Sequence, residues 1–407
     1  MIPKLEDYKK RWRIESEQQI KPGLDAVTSA LQLLGNPHLE LKVIHVTGTN
    51  GKGSTVFMME KILQAHHYST AIFTSPAVID LHDQIKINGE NATAAQINAA
   101  FEKIQAAGLS GKLTDFELLT VVAFLVFHNE SPEYVIIETG MGGLLDSTNV
   151  VQPLVSIITS IALDHTQFLG ETLAEIATHK AGIIKKQTPV VVGELPPEAL
   201  AVVENKAVEQ DASLNRYNIE FNITENPTQF VGTKIFPIPT IKMKGLHQKS
   251  NCALAIEALY CANVSLEVAK IVDALASAQY PNRFQEISPN VYIDGAHNPA
   301  AAKALCQTIR QEFPGETVDF VVGMLKTKDI EGTLNELIPV AHSFTFIHFD
   351  HKDAASVETL LKLCSFENKH VTILKGGSIV LLNANQKKKI VTGSLYLLSG
   401  LKDVIVE

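Results

Sequence analysis

The sequence predicts an α/β protein in which a doubly wound, mostly parallel sheet with a small β subdomain precedes a smaller C-terminal α/β domain. Three observations predict this fold: short apolar runs alternate with longer helical stretches, each run ends in glycine or polar residues, and the alternation restarts near residue 290. Such runs are typical of parallel strands that helices cover on both faces. We expect one domain over residues 1–285 and a second over residues 286–407.

The elements of the first domain follow from apolar periodicity and from proline and glycine positions. They are, in order, helix 22–35, strand 41–46, a helix from near Ser54, helix 117–129, strand 134–139, strand 155–160, helix 172–180, a proline-containing β region 210–245 and helix 250–262.

The second domain shows a new alternation of strands and helices after the break at Tyr280-Pro281-Asn282-Arg283. Its predicted strands are 291–293, 320–322, 343–348, 371–374 and 395–398. The three lysines at 387–389 are interpreted as a solvated turn.

Composition and charge exclude several classes of protein. With 45% hydrophobic and 19% charged residues, the 407-residue chain can fill two cores. A net charge of −9 disfavours nucleic acid as a partner. The charged N-terminus lacks a signal-peptide core, and the apolar run 118–127 is too short for a membrane, so we expect a cytoplasmic protein without a membrane partner. The four cysteines form no C-x-x-C pair, which favours buried reduced thiols over metal ligands or disulfides.

The segment that follows the first strand carries the strongest chemical signal. It contains Thr49, Asn50, Gly51, Lys52, Gly53 and Ser54. Its glycines let several backbone N–H groups point at one phosphate, and Lys52 adds a mobile cation at the start of a helix. The pattern G-x-x-x-x-G-K-[ST] is not met in full, because Val46 stands at its first glycine and Gly53 at its last position. An ordinary glycine-rich turn is the alternative; the strand–turn–helix context favours a nucleotide site, with ATP as the expected ligand.

Two further strand ends carry candidate metal ligands. Glu138 lies near the end of the strand 134–139 and precedes a glycine-rich turn, so its carboxylate should lie on the same sheet edge as the phosphate loop. His165 follows the strand 155–160 and could offer a neutral imidazole, although a histidine taken alone at such a position is more often structural.

These motifs together resemble the folylpolyglutamate and dihydrofolate synthases, which belong to the Mur ligase superfamily. The resemblance lies in the Thr49 to Ser54 segment, in Asp164-His165-Thr166, in Lys180-Ala181-Gly182-Ile183 and in Thr74-Ser75-Pro76. It implies a P-loop-type central domain followed by a Rossmann-like glutamate-ligase domain. It also implies magnesium bound by Ser75, Glu138 and His165, and a carbamylated Lys180. A monovalent cation is an additional candidate cofactor.

The resemblance extends into the second half of the chain. It implies that Asn251, Arg283 and Asp294 contact ATP, and that Asp294, His297 and Ser394 meet the incoming glutamate, with His297 handling its amine proton. Asn282 replaces the usual glycine before Arg283, and asparagine tolerates a left-handed backbone. Phe116 and Glu117 match an element near the folate site.

The match is weaker where the family carries cations near the folate. Ala77, Gln84 and Leu144 stand in this sequence at those places. This affects how the folate would bind rather than the chemistry of ATP.

We expect an ATP-dependent, monomeric ligase that binds ATP between its domains and joins L-glutamate to the γ-carboxylate of a tetrahydrofolate through an acyl phosphate. The sequence leaves open whether dihydropteroate is also an acceptor. One alternative is a ligase of the same superfamily acting on a cell-wall precursor. The other is a P-loop nucleotide switch, but Thr327-Lys328-Asp329-Ile330 has its Asp one place too early for a guanine-reading motif.

Overall fold

A computed structural model describes residues 2, 4–18, 21–373, 378–381, 387–401 and 403–406. The chain divides into two compact units. The first comprises Met1–Ile241 and Lys249–Ala278, and the second comprises Lys242–Gln248 and Gln279–Glu407.

The first unit is built on an eight-stranded sheet. Its strands are β1 (Val43–Thr47), β2 (Thr70–Phe73), β3 (Ile85–Ile87), β4 (Glu90–Asn91), β5 (Tyr134–Glu138), β6 (Val155–Ile158), β7 (Val190–Val192) and β8 (Leu214–Arg216). They are ordered β4-β3-β2-β5-β1-β6-β7-β8. From β2 to β8 every neighbouring pair is parallel, so the carboxyl ends of these strands share one edge. We call this edge, with the loops that leave it, the sheet rim.

Helices cover the sheet of the first unit. They are α1 (Leu5–Trp12), α2 (Asp25–Leu33), α3 (Lys52–Ala65), α4 (Ala94–Ala106), α5 (Asp115–Glu130), α6 (Thr166–Leu169), α7 (Leu173–Ala181), α8 (Pro197–Glu209), α9 (Leu246–Cys261), which belongs to this unit from Lys249 onward, and α10 (Val268–Ser277). Helix α5 is apolar on every side, and its residues from Leu118 to Phe127 are all buried, which explains why this long apolar run is a core helix. Phe124 and Phe127 join the same core cluster as Phe73 of β2.

The proline-containing region forms a separate small sheet, as predicted. Its strands are β9 (Asn222–Thr224), β10 (Gln229–Val231) and β11 (Ile235–Pro237), and they pair in antiparallel fashion. The rings of Phe230 and Phe236 lie with their centroids 5.3 Å apart and their planes tilted by 41°, so an aromatic contact joins the neighbouring strands β10 and β11.

The second unit has a six-stranded sheet. Its strands are β12 (Gln285–Ser288), β13 (Val291–Ile293), β14 (Val318–Val322), β15 (Ala341–His348), β16 (Lys369–Ile373) and β18 (Lys389–Thr392), in the order β12-β13-β18-β14-β15-β16. Only β12 runs antiparallel among these described pairs. Strands β17 (Ser378–Leu381) and β19 (Asp403–Val406) form a two-stranded sheet. The helices are α11 (Pro299–Glu312), α12 (Ile330–Leu337), α13 (Val357–Leu363) and α14 (Leu395–Gly400).

The predicted fold class is confirmed, but two local predictions were wrong. Residues 395–398 are helical, because Ser394 caps them by accepting a hydrogen bond from the Tyr396 N–H at 3.2 Å. The strand of this region is β18, which lies just before the helix. Lys389 was predicted in a solvated turn, but it is the first residue of β18 and is buried, with its Nζ 3.9 Å from Asp319 Oδ2. Helix α3, predicted to start near Ser54, begins two residues earlier, at Lys52.

No helix in the described ranges has the length and apolar character needed to cross a membrane. All four cysteines carry free thiols; Cys252, Cys306 and Cys364 are buried and Cys261 is half-buried, as expected for small apolar side chains.

Candidate active site

The phosphate loop joins β1 to α3 through two glycines in unusual conformations. Gly48 has φ 155° and Gly51 has φ 88°, and Gly51 is the residue that caps α3. A side chain at Gly48 would collide with the Thr159 hydroxyl, and one at Gly51 would place its Cβ 2.5 Å from Asn251 Oδ1. Since Gly51 supplies the left-handed turn, Lys52 can already be helical, which explains the early start of α3.

The loop is clamped from β6, the neighbouring strand. The Thr49 N–H donates to the Ser160 carbonyl at 2.8 Å, and the Asn50 N–H donates to Ser160 Oγ at 2.9 Å. Thr159 Oγ1 in turn donates to the Asn50 carbonyl at 2.6 Å. The sequence analysis assigned no role to Thr159 or Ser160. The feature that could have indicated their role is the pair of hydroxyl residues directly after a buried strand.

We expect Gly51→Ala to weaken the affinity for ATP by at least about tenfold. A φ of 88° disfavours any side chain, and the added methyl would push Asn251 away from the loop. Calorimetric titration with ATP measures the effect. The matched control is Gly35→Ala, where φ is 82° but a Cβ meets open space, so only the backbone penalty applies. Equal loss of ATP affinity in both variants would contradict this account.

Lys52 lies across the loop beside a buried carboxylate. Its Nζ donates to the Gly48 carbonyl at 3.0 Å and lies 3.8 Å from Glu138 Oε1. Val46 pairs with Glu138 between β1 and β5, and this register brings the carboxylate to the loop. The predicted placement of Glu138 on the edge of the phosphate loop is therefore what the structure shows.

Ser75 lies next to the end of β5, whereas His165 lies at the exit of β6. Ser75 Oγ donates to the Thr139 carbonyl at 3.4 Å, directly after Glu138. His165 has φ 52°, and its Nε2 is 3.9 Å from Asp164 Oδ1. Within the described residues no three His, Cys, Asp or Glu side chains form a metal cluster. A hydroxyl and one carboxylate beside a phosphate loop nevertheless fit Mg²⁺, which takes few protein ligands and shares the substrate phosphates.

Lys180 is a buried lysine whose amine interacts electrostatically with the charge of Lys52. It lies near the end of α7 with 3% of its surface exposed. Burial, followed by the charge of Lys52, lowers the pKa of Lys180 from 10.5 to about 7. A larger fraction of the Lys180 amine is therefore uncharged and nucleophilic near neutral pH than in an exposed lysine.

The glycine turn after β5 is braced by a buried network that sequence reasoning missed. Asp146 accepts the Met141 N–H at 2.9 Å and the Thr148 hydroxyl at 2.6 Å. Because Thr148 gives its proton to Asp146, His45 Nε2 must donate to Thr148 Oγ1, 2.9 Å away. Burial lowers the pKa of His45 to about 3, so this histidine is neutral. In the sequence, this network was indicated only by the polar run Asp146-Ser147-Thr148 that follows the glycines.

The two predicted folate-side residues have different surroundings. The Phe116 ring covers the glycine turn so closely that a Cβ on Gly140 would lie 2.5 Å from its Cζ. Glu117 is buried, and its carboxylate accepts the Thr114 N–H and hydroxyl, both at 2.8 Å. This capping box starts α5, so Glu117 holds the segment that presents Phe116.

The second unit gathers its predicted residues at two neighbouring strand ends. Asp294 follows β13 and accepts the Phe284 and Ala296 N–H groups, each at 2.9 Å. Burial raises the pKa of Asp294, and the nearby Arg283 charge opposes that rise. His297 Nδ1 lies 2.8 Å from the Gly295 carbonyl, an acceptor, so this nitrogen carries the proton and Nε2 is the basic atom.

Ser394 joins this cluster through the backbone. Thr392 Oγ1 donates to the Ala296 carbonyl at 3.2 Å, and the Gly393 N–H donates to the same oxygen at 2.9 Å. The loop of Ser394 is thereby tied to the loop of His297. Asn282 has φ 60°, which confirms that asparagine accepts the left-handed conformation before Arg283.

Comparison with known proteins agrees with both halves of this arrangement. Residues 46–259 match the Mur ligase middle domain, and residues 277–404 match the dihydrofolate synthetase C-terminal domain. The chain is 34% identical to a Bacillus subtilis dihydrofolate synthase/folylpolyglutamate synthase, over 94% of this chain and 95% of that protein.

Solved structures show the same likeness. The structure of E. coli FolC in complex with DHPP and ADP superposes with a TM-score of 0.87 at 30% identity, over 97% of this chain and 96% of that one. A bifunctional folylpolyglutamate synthase/dihydrofolate synthase with Mn, AMPPNP and L-glutamate bound gives a TM-score of 0.83 at 28% identity, over 97% and 96% of the two chains.

Proposed function

Because this chain belongs to the Mur ligase family, together with the dihydrofolate synthases and folylpolyglutamate synthases, we propose that it joins L-glutamate to the γ-carboxylate of a tetrahydrofolate at the expense of ATP. We propose dihydropteroate as a second acceptor. The main support for this proposal is the position of Lys52 Nζ, which lies 3.8 Å from Glu138 Oε1 beside the phosphate loop. A lysine beside a phosphate loop stabilises the charge on a transferred phosphoryl group, and a neighbouring carboxylate can hold the metal ion that phosphoryl transfer uses.

The first step transfers the γ-phosphoryl group to the acceptor carboxylate. A carboxylate oxygen forms the new P–O bond while the bond to ADP breaks, which yields an acyl phosphate. The N–H groups of the phosphate loop and the N-terminus of α3 hold the phosphates, and Lys52 stabilises charge on the transferred group. Ser75 and Glu138 would hold Mg²⁺, with His165 as a further ligand, and the bound metal supplies charge neutralisation.

The second step forms the amide. The amine of glutamate attacks the acyl carbon, and the tetrahedral intermediate expels phosphate. We assign the amine proton to Nε2 of His297, because Nδ1 is committed to the Gly295 carbonyl. Asp294 and Ser394 would orient the glutamate, and Asn251 and Arg283 would contact the nucleotide.

Mass spectrometry of reaction products tests this function. Purified protein with Mg-ATP and glutamate is offered tetrahydrofolate and dihydropteroate in parallel. A mass increase of one glutamate on the folate supports the main proposal, and an increase on both supports a bifunctional enzyme. If ATP binds but neither acceptor gains glutamate, while a cell-wall sugar peptide gains an amino acid, the assignment is overturned.

Lys180 is proposed to be carbamylated, since a neutral amine reacts with carbon dioxide and its carbamate would act as a metal ligand. With isotope-labelled bicarbonate, NMR should show a carbamate carbon whose signal grows as pH rises through about 7, where the amine loses its proton. The signal should vanish in Lys180→Arg. The control is Lys185→Arg, because the Lys185 Nζ instead donates to the Asn149 carbonyl at 2.9 Å. A signal that survives Lys180→Arg would place the carbamate elsewhere.

We also propose that the enzyme acts as a monomer in the cytoplasm. Its co-substrate ATP is a cytoplasmic metabolite, which supports the proposed location. A monovalent cation remains a candidate second cofactor. Sedimentation of the active enzyme should give the 44.4 kDa mass of one chain, and the mass of a dimer would contradict the proposal.

A further inference from the structure

Two segments of the first unit lie beside the place where the acceptor must react. The acceptor carboxylate has to come within bonding reach of the γ-phosphate next to Lys52 and Glu138, so the rest of the molecule lies against the sheet rim. In the loop 74–84 after β2, Ser75 donates to the carbonyl of the residue that follows Glu138. At the start of α5, the Phe116 ring covers the next residue, a glycine. We call the loop 74–84 and the first turn of α5 the acceptor segments.

A buried lysine of α1 holds the start of α5. Lys9 is 7% exposed, and its Nζ lies 3.1 Å from Asp115 Oδ1 and 2.7 Å from Glu6 Oε1. The same Asp115 oxygen accepts a hydrogen bond from Ser16 Oγ at 2.6 Å. Asp115 directly precedes Phe116, so this ion pair anchors the residue next to the ring that covers the glycine turn. Removing the lysine would take the cation away from a buried carboxylate, which is costly.

The beginning of α1 holds the loop 74–84. Lys4 lies just before the helix, and its Nζ pairs with Asp80 Oδ2 at 2.6 Å. One turn later, Tyr8 OH lies 3.1 Å from His82 Nε2. His82 Nδ1 contacts a backbone carbonyl, which can only accept, so in neutral His82 the Nδ1 atom carries the proton and Nε2 accepts from the Tyr8 hydroxyl. Adjacent residues of α1 therefore bond to both acceptor segments.

The last residues of α1 are attached to a different element. Trp12 Nε1 donates to Asn98 Oδ1 at 2.9 Å, and Arg11 Nη1 donates to the same oxygen at 3.2 Å. Asn98 belongs to α4, which carries none of the residues assigned to the reaction. These contacts stabilise the helix itself, whereas the contacts of Tyr8 and Lys9 also fix the acceptor segments.

Resting on the function proposed above, we infer that Lys9 and Tyr8 are positioning residues for the acceptor. The acceptor segments are separate in the chain and α1 bonds to both, so either one can shift only by breaking a buried ion pair or the hydrogen bond to Tyr8. Their spacing decides how well a folate-type acceptor fits beside the γ-phosphate. Neither side chain belongs to the phosphate loop, to the proposed metal ligands or to the residues assigned to glutamate, so the binding of ATP and glutamate should not depend on them.

The test compares KM values for the three substrates in Lys9→Met and in Tyr8→Phe. Methionine keeps an unbranched, helix-forming side chain but removes the cation, and phenylalanine keeps the ring but removes the hydroxyl. We expect KM for tetrahydrofolate to rise about tenfold in Lys9→Met and about threefold in Tyr8→Phe. KM for ATP and KM for glutamate should stay within about twofold of the parent values in both variants.

Trp12→Phe is the matched control, because it removes one hydrogen bond from the same helix on the side of α4. It should lower the temperature of thermal unfolding and leave every KM unchanged. The inference is overturned if Tyr8→Phe keeps the parent's KM for tetrahydrofolate, if Trp12→Phe raises that KM as much as Tyr8→Phe does, or if the three KM values rise together as thermal stability falls. If Lys9→Met does not fold, Tyr8→Phe decides. A parent enzyme that binds ATP but adds glutamate to neither acceptor would instead refute the proposed function.

Discussion

Lys52→Ala should lower kcat by about a thousandfold while the protein stays folded, since one positioned charge at a reacting group is worth that much. The alanine removes the cation that lies 3.0 Å from the Gly48 carbonyl and 3.8 Å from Glu138 Oε1. It is also a good helix former at the first residue of α3, so the helix should persist. Glutamate addition is measured by product mass spectrometry, and folding by thermal unfolding.

Lys61→Ala is the matched control for this prediction. Lys61 lies on the same helix, but its Nζ donates to Gln64 Oε1 at 3.1 Å and stands 5.4 Å from the Phe57 ring centroid. Its removal costs a surface contact and should leave kcat within about twofold of the parent. If Lys52→Ala keeps the parent's turnover, the phosphate loop is not the catalytic site.

Glu138→Gln should raise the concentration of divalent metal needed for half-maximal activity by at least about tenfold. The amide keeps the size of the side chain at a position that is 4% exposed, but it loses the charge that would bind the metal and that faces Lys52. Titration of activity with Mg²⁺ and with Mn²⁺ measures the shift.

The control for this change stands at the other end of the same strand. Glu133 precedes β5 and accepts the Ser69 N–H at 2.9 Å, so Glu133→Gln should leave the metal titration unchanged. A Glu138→Gln enzyme with the parent's metal titration would show that the carboxylate positions Lys52 without binding metal.

Strands with continuous apolar runs were predictable from the sequence because burial on both faces selects such runs. The strand predicted at 291–293 is β13, and the one predicted at 134–139 is β5 with one residue fewer. The run 395–398 could not be assigned in this way, because a short apolar run suits a buried helix as well as a strand. Only the Ser394 cap and the pairing of β18 between β13 and β14 decide it.

The sequence by itself determined the kind of chemistry. A Gly-Lys turn between a strand and a helix predicts a phosphate site, and the resemblance of the surrounding motifs extends through the chain to Ser394. These signals are local, since they depend on residue types and short spacings.

The tertiary structure alone decided which groups meet. Glu138 lies 86 positions from Lys52 in the chain, and the parallel pairing of β1 with β5 brings their side chains to 3.8 Å. The hydrogen-bonded network of His45, Thr148 and Asp146 likewise joins separate segments. Such contacts cannot be predicted from a single sequence, because they depend on the order and register of the strands in the folded chain.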